Sequence, residues 1–236
     1  FALTSAQQKV YAEIGRDLAL PHPMQRLLLG DVGSGKTVVA ALAALQAIEN
    51  GYQVAFMAPT EILAEQHYLK LRDWLAPLGI APVWLSGSLK KKDKLAAGER
   101  IAMGDTLLAI GTHALFQNQV EFKQLGLVIV DEQHKFGVQQ RLAMRGKGIE
   151  SHQLMMSATP IPRTLAMSYF ADLDVSVINE LPPGRTPVVT KLVSDARRDE
   201  VFERVRNACL EGRQAYWVCP LSDESETLQL QTALET

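Results

Sequence analysis

The chain has 236 residues, 47% of them apolar and 21% charged, with a net charge of -2. That supports a sizeable core and excludes both a disordered chain and a globally basic nucleic-acid binder, though not a local basic face. Two cysteines, Cys209 and Cys219, exclude a disulfide framework and fit a reducing, cytoplasmic setting. The most apolar run, Val38–Leu45, is far shorter than the ~20 residues that span a bilayer, so no membrane partner is expected. A start at Phe1, without Met, a basic n-region or an apolar h-region, predicts an excised piece with no targeting signal.

Short apolar runs predict buried parallel strands, in chain order "RLLLG", "QVAFMAP", "PVWLS", "TLLAIGT", "LGLVIVDE" and "HQLMMSA". Helical patterns over Val38–Asn50, Glu61–Ala76 and Asp93–Met103 lie between most of them. Strand then helix, repeated, predicts a doubly wound α/β sheet, in which ligands bind at the carboxyl ends of the strands. "ELPPGRTP", Glu180 to Pro187, concentrates Pro and Gly as a linker does. Beyond it come "VVTKLV", a helix from about Asp195 to Glu211, and "QAYWVCP". The expected division is a first domain over 1–181, a linker over 182–187 and the start of a second domain over 188–236.

The first strand runs into "GDVGSGKT", which matches G-x-x-x-x-G-K-[ST]. Glycines let backbone N–H groups turn inward around phosphate oxygens, where a Cβ would block the approach. The helix behind adds unpaired N–H groups and its positive dipole end. Gly30, Asp31, Val32, Gly33, Ser34 and Gly35 are therefore candidate phosphate-cradle residues. Lys36 would reach the β- and γ-phosphates, and Thr37 would hold Mg²⁺. The competing reading is an ordinary glycine-rich turn, against which stands the placement of the pattern between a strand and an Ala/Val/Leu helix.

A second carboxylate is needed for the metal, at the end of another buried strand. "LGLVIVDEQH" supplies Asp131 as that ligand and Glu132 as general base for the attacking water. Paired acids that merely end a strand are the alternative. His134 beside them could bond to neighbouring motifs, or be structural.

Taken together, "GDVGSGKT", "APTEILAEQH", "GTHALFQ", "DEQHKFGVQQR" and "SATPIPRTLAM" stand in the order and spacing of superfamily 2 helicases. More narrowly, the chain closely resembles the RecG family of bacterial branched-DNA helicases over essentially its whole length. "LTSAQQKV" looks like that family's adenine-side segment, and "DLDVSVINELPPGRTPV" like its inter-lobe connection. The resemblance implies a RecA-like parallel sheet flanked by helices, followed by an incomplete second RecA-like lobe. It implies ATP and Mg²⁺ as cofactors, and branched double-stranded DNA as partner. The implied activity is ATP-driven remodelling of stalled forks and Holliday junctions in repair and recombination.

On the same resemblance, Gln7 reads the adenine edge, for which an amide has both a donor and an acceptor. Pro59 and Thr60, Ser86 and Gly87, and Thr112 and His113 contact DNA phosphates, each pair standing just after a strand. Thr60 has the position of a helix N-cap, and Thr112 repeats the arrangement. The lysines of "LKKKDK" add positive charge, or form a solvated face. Ser157, Ala158 and Thr159, with His134, couple nucleotide state to the DNA side through bonds toward Asp131 and Glu132. An arginine that stabilises transition-state charge is expected from the opposing lobe, so Arg163 is not assigned that role. Residues 188–236 cannot complete a sheet of their own, which predicts exposed apolar groups such as Val189, Val193, Trp217 and Val218, and self-association.

Three rivals stand beside this reading. A transcription-repair coupling translocase shares "SATPIPRT", but "DEQH" followed by "FGVQQR" favours the RecG branch. A metabolic P-loop kinase would lack the "SAT" element and need a lid. A nucleotide-gated binding module would bind nucleotide without DNA-stimulated hydrolysis.

Overall fold

Parallel pairing between buried strands organises the computed structural model, which describes residues 2–117, 120–132, 151–159, 173–180, 185–186 and 188–218. The strands are β1 (Gln25–Gly30), β2 (Gln53–Met57), β3 (Val83–Leu85), β4 (Leu108–Gly111), β5 (Leu125–Asp131), β6 (His152–Ser157) and β7 (Asp174–Ile178). They form one 7-stranded sheet in the order β3-β4-β2-β5-β6-β1-β7. Every pairing is parallel, so all the carboxyl ends share one edge.

The strands read as continuous apolar runs because both faces of the sheet are covered. Alternate residues go to opposite sides. Leu28, Phe56, Ile129 and Met156 pack under α1 (Ser5–Leu18), α2 (Lys36–Glu49) and α3 (Glu61–Leu75). Leu27, Met57, Val130 and Met155 pack on the other face with Ala97 and Ile101 of α4 (Lys91–Met103). Helix α1 begins with a capping box, in which Thr4 and Gln7 bond each other's backbone N–H.

Two differences from the sequence reading stand out. Asp174–Ile178, read as part of an inter-lobe connection, is the edge strand β7 beside β1. It is anchored by Arg26, 9% exposed, whose Nη1 donates to Ser176 Oγ at 2.8 Å while its Nε donates to Asp17 on α1 at 2.7 Å. Helix α2 starts at Lys36, two residues earlier than its apolar periodicity indicated, because the glycine loop feeds straight into it.

The chain divides into a unit over Phe1–Arg185 and a unit over Thr186–Thr236. The second holds a 3₁₀ turn (Asp195–Arg197) leading into α5 (Arg198–Leu210), with Phe202 stacked on Trp217 at 4.6 Å. The stretches "VVTKLV" and "QAYWV" form no strand, and Val189, Val193, Trp217 and Val218 are exposed. A strand needs a neighbour for its N–H and C=O groups, and the described part of this unit offers none.

Candidate functional site

The loop after β1 is shaped by glycine. Gly33 and Gly35 hold φ of 81° and 90°, which side chains rarely adopt. At Gly35 a Cβ would stand 2.3 Å from Gln7 Nε2, and at Gly30 2.5 Å from Ser34 Oγ. Gly35 caps α2 without a side-chain bond, so the first turn, with Lys36 and Thr37, opens directly onto the loop. Ser34 is buried, and its hydroxyl has no partner among the described residues. A loop with no room for a Cβ at Gly30 or Gly35 and with an orphaned donor at Ser34 fits a phosphate oxygen.

Lys36 Nζ donates to the carbonyls of Gly30 and Asp31, the second at 3.0 Å. Burial pushes its ammonium below the ordinary lysine value, opposed by the carboxylates of Asp131, Glu132 and Asp31. The cation therefore lies within electrostatic reach of both predicted acids. Asp31 is exposed; its carboxylate accepts from Val32 N–H at 2.7 Å and pairs with Arg185 at 2.8 Å.

Gln7 is buried and its amide is committed within the protein. Its Oε1 accepts from Thr4 N–H at 3.0 Å, and its Nε2 donates to the Ser34 carbonyl at 2.8 Å. In this arrangement the side chain braces the phosphate loop. Its second N–H and remaining lone pair are all that an adenine could use.

Asp131 ends β5 and Glu132 follows with φ of 49°, the one positive value at a non-glycine among the described residues. Such a conformation costs of order 1–3 kcal/mol and recurs at functional sites. It lets Glu132 N–H donate to Asp131 Oδ1 at 3.0 Å. The other oxygen, Oδ2, lies 2.7 Å from His67 Nε2, with both side chains nearly buried. A carboxylate only accepts, so Nε2 carries the proton. The sequence reading quoted His67 within "APTEILAEQH" but gave it no role.

Ser157 is fully buried at the end of β6, beside Leu29 of β1. Its hydroxyl bonds Thr159 Oγ1 at 2.9 Å and accepts from Thr159 N–H at 3.2 Å, so this pair forms a local turn around Ala158. His134 lies outside the described residues. The adjacent strands β5, β6 and β1 thus bring Asp131, Glu132, Ser157 and the glycine loop to one half of the edge.

The other half, β3-β4-β2, carries the predicted DNA contacts. Thr60 caps α3, accepting from Leu63 N–H at 3.4 Å, and is exposed, as are Gly87 and His113. Pro59 is half-buried. Ser86 and Thr112 are not available in the same way. Ser86 is fully buried with its hydroxyl 3.0 Å from that of Ser88, and Thr112 is 3% exposed. Thr112 precedes a 3₁₀ turn (His113–Phe116) and makes no capping bond, unlike Thr60. Glu61 Oε1 accepts from Ser88 N–H at 2.9 Å, and these bonds with Ser88 hold the Glu61 carboxyl below its ordinary range. That acid ties the first turn of α3 to the loop after β3.

Residues 4–168 match the DEAD/DEAH box helicase family model. The chain belongs to the DEAD/DEAH box helicases. This helicase chain is 61% identical to the ATP-dependent DNA helicase RecG of Escherichia coli strain K12, over the whole of the chain and 35% of that protein. RecG of Haemophilus influenzae is 59% identical, over 99% of the chain and 34% of the relative. A solved structure of RecG bound to a three-way DNA junction matches with a TM-score of 0.74 at 46% identity, covering 90% of this chain and 28% of that one. The chain thus spans about a third of the length of the curated relatives it matches.

Among the described residues no group of three His, Cys, Asp or Glu could hold a metal, and no helix is long and apolar enough to cross a membrane. A cation in this helicase site would need nucleotide oxygens besides the Thr37 hydroxyl and the Asp131 carboxylate. That all-oxygen, substrate-completed set suits Mg²⁺. Sequence reasoning missed three contacts here: His67, Glu61 and Arg185. His67 stands two helical turns beyond Thr60, on the same face of α3, and that spacing was available in the sequence.

Proposed function

We propose that residues 1–181 are the ATP-binding lobe of a double-stranded DNA translocase of the RecG kind. The whole protein would remodel branched DNA, including stalled forks and four-way junctions, during repair and recombination in the cytoplasm. Residues 182–187 would be the connection to a second RecA-like lobe beginning at 188, whose exposed apolar groups would favour self-association of this chain alone. The observation that carries the proposal is the juxtaposition, on one sheet edge, of the glycine cradle, half-buried Lys36 and the acid pair Asp131–Glu132, beside a separate half that carries exposed Thr60 and His113.

In this reading the loop N–H groups and the Ser34 hydroxyl bind phosphate oxygens, and Gln7 holds the loop in shape while contacting the adenine. Lys36 exchanges its loop carbonyls for the β- and γ-phosphates. Thr37 and Asp131 would hold Mg²⁺, which when bound neutralises charge on the phosphates. Glu132 takes the proton of the water whose oxygen bonds to the γ-phosphorus, as the bond to the β-phosphate oxygen breaks and ADP leaves. Ser157 and Thr159, with His134, pass the state of this half to the DNA half. The identity to RecG relatives supports DNA, rather than a small metabolite, as the partner.

The test is steady-state ATPase of the full-length protein with and without a three-way junction. The junction should raise turnover, and Lys36→Ala should abolish both rates. Junction-independent phosphorylation of a small molecule would favour a kinase. Nucleotide binding without hydrolysis would favour a passive module.

A further inference from the structure

We propose that His67 is a positioning residue for Asp131, and that it joins the metal-binding carboxylate to the helix that carries the DNA-side contacts. The inference rests on the ATPase reading above and assigns a residue that reading does not use.

The geometry is specific. Asp131 has two oxygens, and each has a donor from the protein: Glu132 N–H at 3.0 Å on Oδ1 and His67 Nε2 at 2.7 Å on Oδ2. The His67 and Asp131 side chains are 12% and 13% exposed, so water competes weakly for that bond. The imidazole is held from its other side by the Phe56 ring on β2, with centroids 4.7 Å apart at 45°. Phe56 is fully buried between α3 and the sheet, and its strand neighbour in register is Ile129 of β5. Turning either the ring or the carboxylate breaks the 2.7 Å bond between them.

The second half of the inference follows from where His67 is mounted. It lies in the second turn of α3, which is capped by Thr60 and begins at Glu61. Glu61 is tied to Ser88 at 2.9 Å in the loop after β3, at the far end of the DNA half. One helix therefore contacts the DNA-side loop at its start and the nucleotide-side carboxylate two turns later. A helix is stiff over that span, so a shift of its N-terminus on a phosphate backbone reaches Asp131 through a single hydrogen bond.

Partners that orient a metal ligand typically change metal affinity 10–100-fold when removed. The experiment measures binding of a fluorescent N-methylanthraniloyl-ADP to the full-length protein, first without metal and then across a Mg²⁺ titration. His67→Leu keeps an apolar contact for Phe56 and loses the N–H. His67→Gln keeps an amide N–H near the position of Nε2. The expected result is metal-free nucleotide affinity unchanged in both variants. The Mg²⁺ concentration needed for the bound form should rise about 10-fold or more in His67→Leu and return toward wild type in His67→Gln. An unchanged Mg²⁺ requirement in His67→Leu overturns the positioning role. So does an equal loss of metal-free affinity, which would mark His67 as a packing residue. A wild-type protein that binds no nucleotide would sink the ATPase reading itself, and this inference with it.

Discussion

Gly35→Ala puts the phosphate loop to its sharpest test, because two independent physical costs meet at one atom. The backbone there has φ of 90°, and holding a residue with a Cβ in the left-handed region costs about 1–2 kcal/mol. The new Cβ would also lie 2.3 Å from Gln7 Nε2, so one of the two must move. Gln7 is only 8% exposed and has little room. Displacing it breaks the 2.8 Å bond to the Ser34 carbonyl and leaves a buried acceptor unsatisfied, at about 1–3 kcal/mol. Together these come to about 2–5 kcal/mol, a large share of the ~5–15 kcal/mol that holds a domain folded.

A double-mutant cycle separates the two costs. Gln7→Ala removes the obstacle, so in the double variant only the backbone strain and the lost bond remain, and the clash is not counted twice. The double variant should be more stable than the sum of the single losses by about 1–3 kcal/mol, within the range of coupled neighbours. The assay is urea unfolding of the 236-residue chain followed by tryptophan fluorescence, with fluorescent-ADP binding measured in parallel. Strict additivity, or a Gly35→Ala protein as stable as wild type with unchanged nucleotide affinity, would refute the reasoning.

Three further outcomes are expected. Glu132→Gln in the full-length protein should leave ATP bound while single-turnover hydrolysis falls about 10²–10⁴-fold, the usual contribution of a general base; a near-normal rate would assign the proton to another group. His152 is held below the ordinary histidine value by burial, with Asp17 opposing and His22 reinforcing, and its Nδ1 accepts from Met24 N–H at 3.0 Å. Its folded state thus binds a proton less readily than its unfolded state, so stability is full above the ordinary value and falls as pH drops through it. Thermal midpoints at about pH 7.5 and 5.5 should differ more for wild type than for His152→Asn, which keeps an acceptor but does not titrate. Gly111→Ala would set a Cβ 1.8 Å from the Leu85 carbonyl oxygen, forcing β3 and β4 apart, and limited proteolysis should cut the β3–β4 region faster; unchanged protection would contradict the packing at that strand pair.

The parts of this molecule that were legible in the sequence are those whose cause is local. Strands β2 and β5 are buried on both faces, so Val54–Met57 and Leu127–Val130 are continuous apolar runs, and the exits from them could be read where Thr60 and Asp131 appear. The edge strand β7 was not legible in the same way. Its Asp174 and Val177 are exposed and its Ser176 is buried against Arg26, so "DVSVI" shows neither a clean run nor a clean alternation. The glycine loop was legible because its residues are contiguous, but its brace, Gln7, comes from 27 positions away, and no local pattern contains that bond.

Direction is what sequence position alone does not contain. Ser86, Thr112 and Thr60 are all polar residues just beyond a strand, and all three were read as facing DNA. Their burial differs. In the sheet order β3-β4-β2-β5, Ser86 beyond the edge strand and Thr112 beyond a flanked one are both buried, while Thr60, at the head of a long helix, is exposed. The same order puts β2 beside β5, although the helix α3 and the whole β3–β4 segment intervene in the chain. That adjacency brings His67 within 2.7 Å of an aspartate 64 positions later. The contact joining the two halves of the edge is thus a product of topology: helical spacing could put His67 on the face of Thr60, but only the sheet order puts Asp131 opposite it.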